Sequence, residues 1–187
     1  MTASRLVPVL VAVAAVPCLV SLPLRAVAKH ASPVKIEDVV RVLKHKPDAK
    51  PADFTKVGQD VDSVLAELVG EPKADVELRR RAARALGSFG RRRATAVLTS
   101  AMSSTEVPEP VRAAAMVGLA RARGESAFED VKPYLRDGSA ALRIGAAEAL
   151  GTMGGDRART LLGGAIETEE SLEVRAAMEA ALKAADR

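Results

Sequence analysis

The sequence predicts an all-α protein, an α-solenoid of about four helical hairpins. One motif recurs four times along the chain, and its leucines are separated by 33, 31 and 32 residues, a period typical of repeat architectures. Hydrophobic residues make up 48% of the chain, but aromatic residues make up only 2%. The core must therefore consist mainly of alanine, leucine and valine, which suit closely packed helices better than a β-sandwich.

Each copy of the motif has the pattern of one amphipathic helix. An aliphatic residue opens the copy, an arginine follows it, and a leucine comes eight positions after the aliphatic residue. The arginines are Arg79, Arg112, Arg143 and Arg175, and the leucines are Leu86, Leu119, Leu150 and Leu182. Apolar residues at this spacing form one stripe along a helix. The residue before each leucine is alanine or glycine, which would let a neighbouring helix approach closely.

A second apolar stripe precedes each copy of the motif, and glycine and proline residues mark the loops between stripes. We therefore expect hairpins at about 53–88, 91–122, 125–152 and 156–185. An earlier helix at about 35–45 would cap the first hairpin, because the end of a repeat stack needs a cover. Residues 46–52 contain Pro47 and Pro51 and would form a linker.

The stacked motif, [LV]-R-x-x-A-x-x-[AG]-L, resembles the HEAT-like repeats named after phycobilisome lyases, over residues 53–187. The resemblance implies stacked hairpins with a ladder of ion pairs between successive repeats, in which each acid lies near the arginine six residues after it or near one in an adjacent repeat. The acids and the arginines that follow them are Glu106 and Arg112, Asp137 and Arg143, and Glu169 and Arg175. The first copy has Lys73 in the acid's place, so its rung would be absent or replaced by Asp75. Because the family includes scaffolds, lyases and hydroxylases, the resemblance implies a fold rather than an activity.

Residues 1–28 have the features of a signal peptide. Arg5 gives a positive start, an apolar run covers residues 6–24, and Ala26-Val27-Ala28 forms a small-x-small cleavage site. We expect cleavage after Ala28 and a periplasmic or secreted mature chain. The alternative is an uncleaved membrane anchor at 6–24, since about 19 residues can just span a bilayer. Three prolines in the run argue against that anchor, and membrane contact is expected only in that case.

No catalytic, metal-binding or cofactor-binding residues are predicted. The only histidines are His30 and His45, both before the repeats, and the only cysteine is Cys18 in the apolar run. Zinc sites and nucleophilic triads need more histidine or cysteine than this. Phosphate-binding loops need a lysine that Gly151-Thr152-Met153-Gly154-Gly155 does not contain. The expected protein is therefore not an enzyme and needs no cofactor.

The face of each motif helix turned away from the leucine stripe is predicted to line a concave groove. Its members lie two, six or ten positions after the opening aliphatic residue: Arg80, Arg84, Val117, Arg121, Ile144 and Glu148. This surface combines charge at one end with aliphatic side chains at its centre. It would suit an acidic, partly apolar protein or peptide.

Seven arginines fall within the 15 residues 79–93, and Arg91, Arg92 and Arg93 form a basic corner at a turn. The functional interpretation is anion recognition, and the alternative is a solvated arginine surface with no binding role. Removing residues 1–28 takes away two arginines and no acid, which lowers the formal net charge from +4 to +2. So small a charge argues against a nucleic-acid partner.

The sequence thus favours an exported, non-catalytic scaffold that binds a protein through the concave face. Two alternatives remain: polyanion or nucleic-acid binding through Arg79–Arg93, and a non-catalytic partner subunit of a lyase-type enzyme. The second alternative rests on the family resemblance alone.

Overall fold

The computed structural model describes residues 34–186, and every regular element in that range is helical. The predicted signal peptide, its cleavage site and the alternative anchor lie outside the described residues. Within 34–186, no helix has the length and apolar character needed to cross a bilayer. The predicted all-α fold class is confirmed.

A single N-terminal helix precedes four hairpins. The helices are α1 Ile36–His45, α2 Val61–Gly70, α3 Val76–Gly87, α4 Arg92–Ser103, α5 Glu109–Arg123, α6 Phe128–Val131, α7 Ala140–Met153, α8 Gly155–Thr168 and α9 Leu172–Ala185. Short 3-10 helices span Pro51–Phe54, Gly124–Ala127 and Lys132–Arg136. The hairpins pair α2 with α3, α4 with α5, the α6 segment with α7, and α8 with α9.

The motif helices α3, α5, α7 and α9 pack against one another in chain order and form one layer of the stack. Leu86, Leu119 and Leu150 are fully buried in it, whereas Leu182 on α9 is half-buried. The leucine column therefore runs through a continuous core. Its last member is less covered because α9 has a motif helix on one side only within the described residues.

Small residues set the spacing between the motif helices. A methyl group added at Gly118 would lie 2.5 Å from the carbonyl oxygen of Ala83, and one at Gly145 would lie 2.5 Å from Cβ of Ala113. Both distances are far inside van der Waals contact, so these helices pack backbone against backbone. The small residue expected before the leucine of the second copy is Gly118 itself.

The first hairpin starts later than the sequence suggested. A helix was expected from about residue 53, but α2 begins at Val61, and Phe54 ends a 3-10 turn instead. The interruption falls at Gly58, whose φ of +143° is accessible to glycine and strained for other residues. Phe54 still reaches the core, where its ring lies 6.0 Å from that of Phe89.

The third hairpin lacks a full first helix. Residues 124–136 form a 3-10 turn, the four-residue α6 and a second 3-10 turn, although the apolar stripe predicted one helix there. Pro133 accounts for part of this break, because proline has no N–H to donate within a helix. Phe128, Val131 and Leu135 remain buried, so the stripe reaches the core without a regular helix.

The N-terminal helix α1 packs on the first hairpin through Val39 and Leu43, both fully buried. Arg81 of α3 holds its last turn by donating from Nη1 to the carbonyl oxygens of Leu43, at 2.9 Å, and Lys44, at 3.2 Å. A cation at this end also complements the helix dipole. Arg81 therefore holds the end of α1 in place, and the predicted linker, residues 46–52, begins directly after it.

The motif helices share an N-cap that the sequence reading did not identify. The cap side chain, three residues before the opening aliphatic residue, accepts a hydrogen bond from that residue's N–H in three copies. The caps are Asp75, Ser139 and Ser171. Asp75 therefore caps α3 rather than supplying the missing ladder rung. Pro108 takes the same place before α5, where the first orphan N–H groups have no side-chain acceptor.

Candidate functional site

The predicted groove residues lie on one side of α3, α5 and α7, which we call the inner face. Its main contact is an ion pair between Arg84 on α3 and Glu148 on α7, with Arg84 Nη1 2.7 Å from Glu148 Oε1. These residues are 64 positions apart and belong to the first and third hairpins. The pair therefore bridges α5, the motif helix between them.

The centre of the inner face is less open than predicted. Val117 on α5 was expected to be an exposed groove residue, but it is only 1% exposed. It lies on α5, which packs between α3 and α7. Ile144 is half-buried against the core. Val117 is thus a packing residue, and the prediction that it is an exposed groove residue is wrong.

A third charged group reaches the inner face from the linker. Asp48 Oδ1 lies 3.8 Å from Arg84 Nε and 3.5 Å from Arg121 Nη2. Arg121 also donates from Nη1 to the backbone oxygen of Arg84 at 3.2 Å, which ties α5 to α3. Asp48, Arg84, Arg121 and Glu148 together form what we call the inner charge cluster. Its formal charges cancel.

Arg80, the other predicted groove arginine, is paired within its own helix. Arg80 donates from Nε and Nη2 to the two carboxylate oxygens of Glu77 at 2.6 and 2.9 Å, and Arg81 Nε donates to the same group at 2.6 Å. These hydrogen bonds lower the pKa of Glu77 to about 2. Glu77 therefore stays ionised and holds two arginine side chains in fixed directions.

All three arginines of the basic corner are exposed, but only Arg91 has an ion-pair partner among the described residues. Arg91 Nη1 lies 3.3 Å from Oδ1 of Asp62, a buried carboxylate on α2. Arg91 thus compensates a charge that would be costly to leave alone in the core. Arg92 and Arg93 are exposed on the first turn of α4, and that turn contains no acid. Cations at this end of a helix oppose its dipole.

Only one of the three predicted ladder acids makes a side-chain ion pair with an arginine. Glu169 accepts from Arg143 Nε at 2.8 Å and Nη2 at 3.1 Å, which joins the third and fourth hairpins. This pairing lowers the pKa of Glu169. Asp137 instead meets Arg143 through its backbone oxygen, and Glu106 is exposed without an ion pair among the described residues.

The motif arginines share a different role, which is to bond backbone carbonyl groups near the end of the preceding segment. Arg79 Nε donates to the oxygen of Val69 and Arg112 Nε to that of Met102, both at 3.1 Å. Arg143 and Arg175 bond the oxygens of Asp137 and Glu169. Carbonyls at helix ends lack partners within the helix, so the arginine column stabilises the turn of every hairpin.

A groove that the sequence did not predict lies between residues 128–137 and α8. Its volume is about 1670 Å³. Arg157 lies 4.2 Å above the ring of Phe128 and pairs with Glu129 at 2.5 Å along this groove. On this side α8 faces the short α6 and a 3-10 turn that contains Pro133, rather than a regular helix. Gly164 adds space, since a methyl group there would contact nothing within 4 Å.

Residues 34–186 contain no group of three or more histidine, cysteine, aspartate or glutamate side chains placed to hold a metal ion. Of the two histidines, His45 lies at the exposed end of α1.

Two family models match the stacked hairpins. Residues 105–183 match a model described as HEAT repeats, and residues 78–104 match a model described as PBS lyase HEAT-like repeat. The fold is a HEAT-like α-solenoid. The helices α1 and α2 lie before the matched range. No curated protein shows significant similarity to this chain. HEAT repeats suggest a helical repeat scaffold for protein interaction.

Proposed function

We propose that this chain is an exported, non-catalytic scaffold that binds a partner protein on its inner face. The observation that carries the proposal is the fixed position of Arg84 and Arg121. Their side chains are 14% and 28% exposed, and hydrogen bonds hold both guanidinium groups on the surface. Arginines that are already ordered lose little freedom on binding, and arginine is enriched among residues that dominate interface energy.

The inner face also offers apolar area beyond the charge cluster. Ile144 is half-buried at its centre, and Ala176 and Ala180 continue the same positions on α9, where both are exposed. A partner with an acidic group next to small apolar residues would complement charge and apolar area together. The proposed partner is the same acidic, partly apolar segment that the sequence suggested, but its apolar contacts would be Ile144, Ala176 and Ala180 rather than Val117.

Affinity capture from an envelope fraction tests the proposal. The bait would be the wild-type chain, a double variant Arg121→Gln, Ile144→Ser, and a control variant Glu67→Gln. Glu67 is exposed on α2, outside the inner face, and has no ion pair among the described residues. A partner on the inner face should be retained by the wild type and the control and lost by the double variant. A partner retained equally by all three would contradict the proposal.

Export is a separate part of the proposal and rests on residues 1–28. N-terminal sequencing of the protein from cells should give a chain that starts at or near Lys29. A soluble cytoplasmic protein that keeps Met1 would contradict export. It would leave the inner-face proposal unaffected.

A second candidate is polyanion binding at the basic corner. It is favoured by Arg92 and Arg93, which are exposed and have no ion-pair partner within residues 34–186. Heparin or DNA binding that weakens steeply with salt, and that is lost in an Arg92→Gln, Arg93→Gln variant, would favour this candidate. The partner-subunit alternative is supported only by the PBS lyase HEAT-like match over 78–104.

A further inference from the structure

Asp48 lies near two inner-face arginines, Arg84 and Arg121, without forming a hydrogen bond to either. Its Oδ1 lies 3.8 Å from Arg84 Nε and 3.5 Å from Arg121 Nη2, whereas a charge-assisted hydrogen bond measures about 2.7–2.9 Å. The Asp48 side chain is 66% exposed, in contrast to the two arginines it faces. One carboxylate oxygen thus lies between two guanidinium groups, at a distance too long for a hydrogen bond to either.

Arg84 and Arg121 each direct one nitrogen towards Asp48, and their other hydrogen bonds go elsewhere. Arg84 directs Nη1 and Nη2 at Glu148, and Arg121 directs Nη1 at the backbone of Arg84. The groups that face Asp48 are therefore Arg84 Nε and Arg121 Nη2. A carboxylate placed symmetrically between these two donors can accept one hydrogen bond from each of them, with a different oxygen for each. Asp48 uses a single oxygen for both.

The linker restricts how closely Asp48 can approach. Arg81 fixes the end of α1 before it, and Asp53 fixes the chain after it by pairing with the side chain of Lys46 and accepting from the N–H of Lys50 at 2.8 Å. Ala49, next to Asp48, is buried. The chain is thus anchored on both sides of Asp48, whose carboxylate lies near the arginines but outside hydrogen-bonding distance of them. Asp48 would therefore compete with a partner's carboxylate for Arg84 and Arg121. Its effective concentration is high because it belongs to the same chain, but its hydrogen-bond geometry is poor.

We propose that Arg84 and Arg121 form a binding site for a carboxylate of the partner protein, and that Asp48 occupies this site until the partner displaces it. The inference rests on the proposed inner-face function and names its ligand chemistry. Without Asp48, the inner charge cluster has a net charge of +1, which an aspartate, glutamate or C-terminal carboxylate of a partner would neutralise. Glu148 stays on Arg84 and keeps that side chain oriented.

The test measures the affinity of the full chain for a fluorescein-labelled octaglutamate peptide by anisotropy at low ionic strength. Asp48→Asn removes the competing charge and should tighten binding by roughly two- to fivefold, the range expected for one loose exposed ion pair. Glu67→Gln makes the same change in net charge outside the inner face and should have a clearly smaller effect. Arg121→Gln should weaken binding by roughly tenfold, since it removes a charged donor. Asp48 is exposed, and equal thermal unfolding midpoints should show that its replacement leaves the fold intact.

The outcomes separate this inference from the proposed function. Equal binding by the Asp48→Asn and Glu67→Gln variants, with loss in Arg121→Gln, would overturn competition by Asp48 and leave the inner-face site in place. Unchanged binding in Arg121→Gln would overturn the site and the inner-face proposal together. Tighter binding of a single-stranded oligonucleotide than of octaglutamate at the same salt would overturn the assignment to carboxylates. Octaglutamine is the neutral control, and it should not bind.

Discussion

Replacing Gly118 by alanine tests whether backbone contact sets the distance between α3 and α5. The new methyl group would lie 2.5 Å from the carbonyl oxygen of Ala83 and 3.0 Å from Cδ2 of the buried Leu98. Ordinary contact begins at 3.4 Å, so the two helices would have to separate by close to 1 Å. Overpacking of this kind costs about 1–3 kcal/mol. The overlap is with a backbone oxygen, which cannot rotate away, so the cost lies in the upper part of that range, at about 2–3 kcal/mol. The higher helix propensity of alanine offsets up to about 1 kcal/mol of it, which leaves a net loss of about 1–2 kcal/mol.

Gly164 in α8 provides the matched control. It also lies inside a helix, but a methyl group there would meet nothing within 4 Å. Gly164→Ala should therefore stabilise the protein by about 0.5–1 kcal/mol through helix propensity alone. The same substitution thus has opposite signs at two helical glycines. Urea unfolding followed by circular dichroism at 222 nm measures both changes.

The shape of the unfolding transition gives a second readout. Gly118→Ala weakens mainly the interface between the first and second hairpins, because its closest clash is with Ala83 of α3, and repeat stacks couple through nearest neighbours. The transition should broaden as the first hairpin unfolds ahead of the others, whereas Gly164→Ala should leave its width unchanged. If Gly118→Ala were neutral or stabilising, the close approach of α3 and α5 would not be a constraint on the fold.

Three further predictions test the core, the ladder and the stability in acid. Leu150→Ala should cost about 2–5 kcal/mol in urea unfolding, and Leu182→Ala, at a half-buried position, should cost clearly less. Glu169→Gln should cost on the order of 1 kcal/mol, since it loses charged hydrogen bonds to an arginine of the previous hairpin, while Glu106→Gln should change stability by less than about 0.5 kcal/mol. Because the folded-state pKa of Glu77 is lowered from 4.5 to about 2, its ionised form stabilises the fold above about pH 4.5, and this contribution disappears as the pH falls towards 2. Glu77→Gln should therefore destabilise at pH 6, by less than about 1 kcal/mol for so exposed a pair, and match the wild type near pH 2.

The features that could be predicted from sequence are those fixed within a single helix. The leucine column and the small residue before each leucine follow from a period of 3.6 residues, which decides which side of a helix is buried. Leu119 and Leu150 are buried for this reason whatever the neighbouring helices are. The role of the motif arginines was only partly visible, because their main acceptors are backbone oxygens, which every residue possesses and no sequence pattern distinguishes.

The helix boundaries were misjudged where an apolar stripe continued through a break in the backbone. Phe54 and Val61 lie seven positions apart, which fits one stripe of a single helix. Gly58 between them adopts a positive φ, however, and no continuous helix forms. Pro133 interrupts the stripe of the third hairpin in the same way. Both residues were visible in the sequence, and burial of the flanking apolar side chains did not require the helix that the stripe implied.

The burial of Val117 shows why the binding surface could not be predicted from the sequence alone. Its position in the motif gives the correct face of α5, but whether that face is open depends on how closely α3 and α7 pack against α5, and no local pattern shows that. The consequence is practical. Val117→Ser, the natural test of an open groove, would place a hydroxyl group in the core and reduce binding by disturbing the packing. Arg121, held at the surface and paired only loosely with Asp48, is the position at which a change in partner affinity reports on the inner face itself.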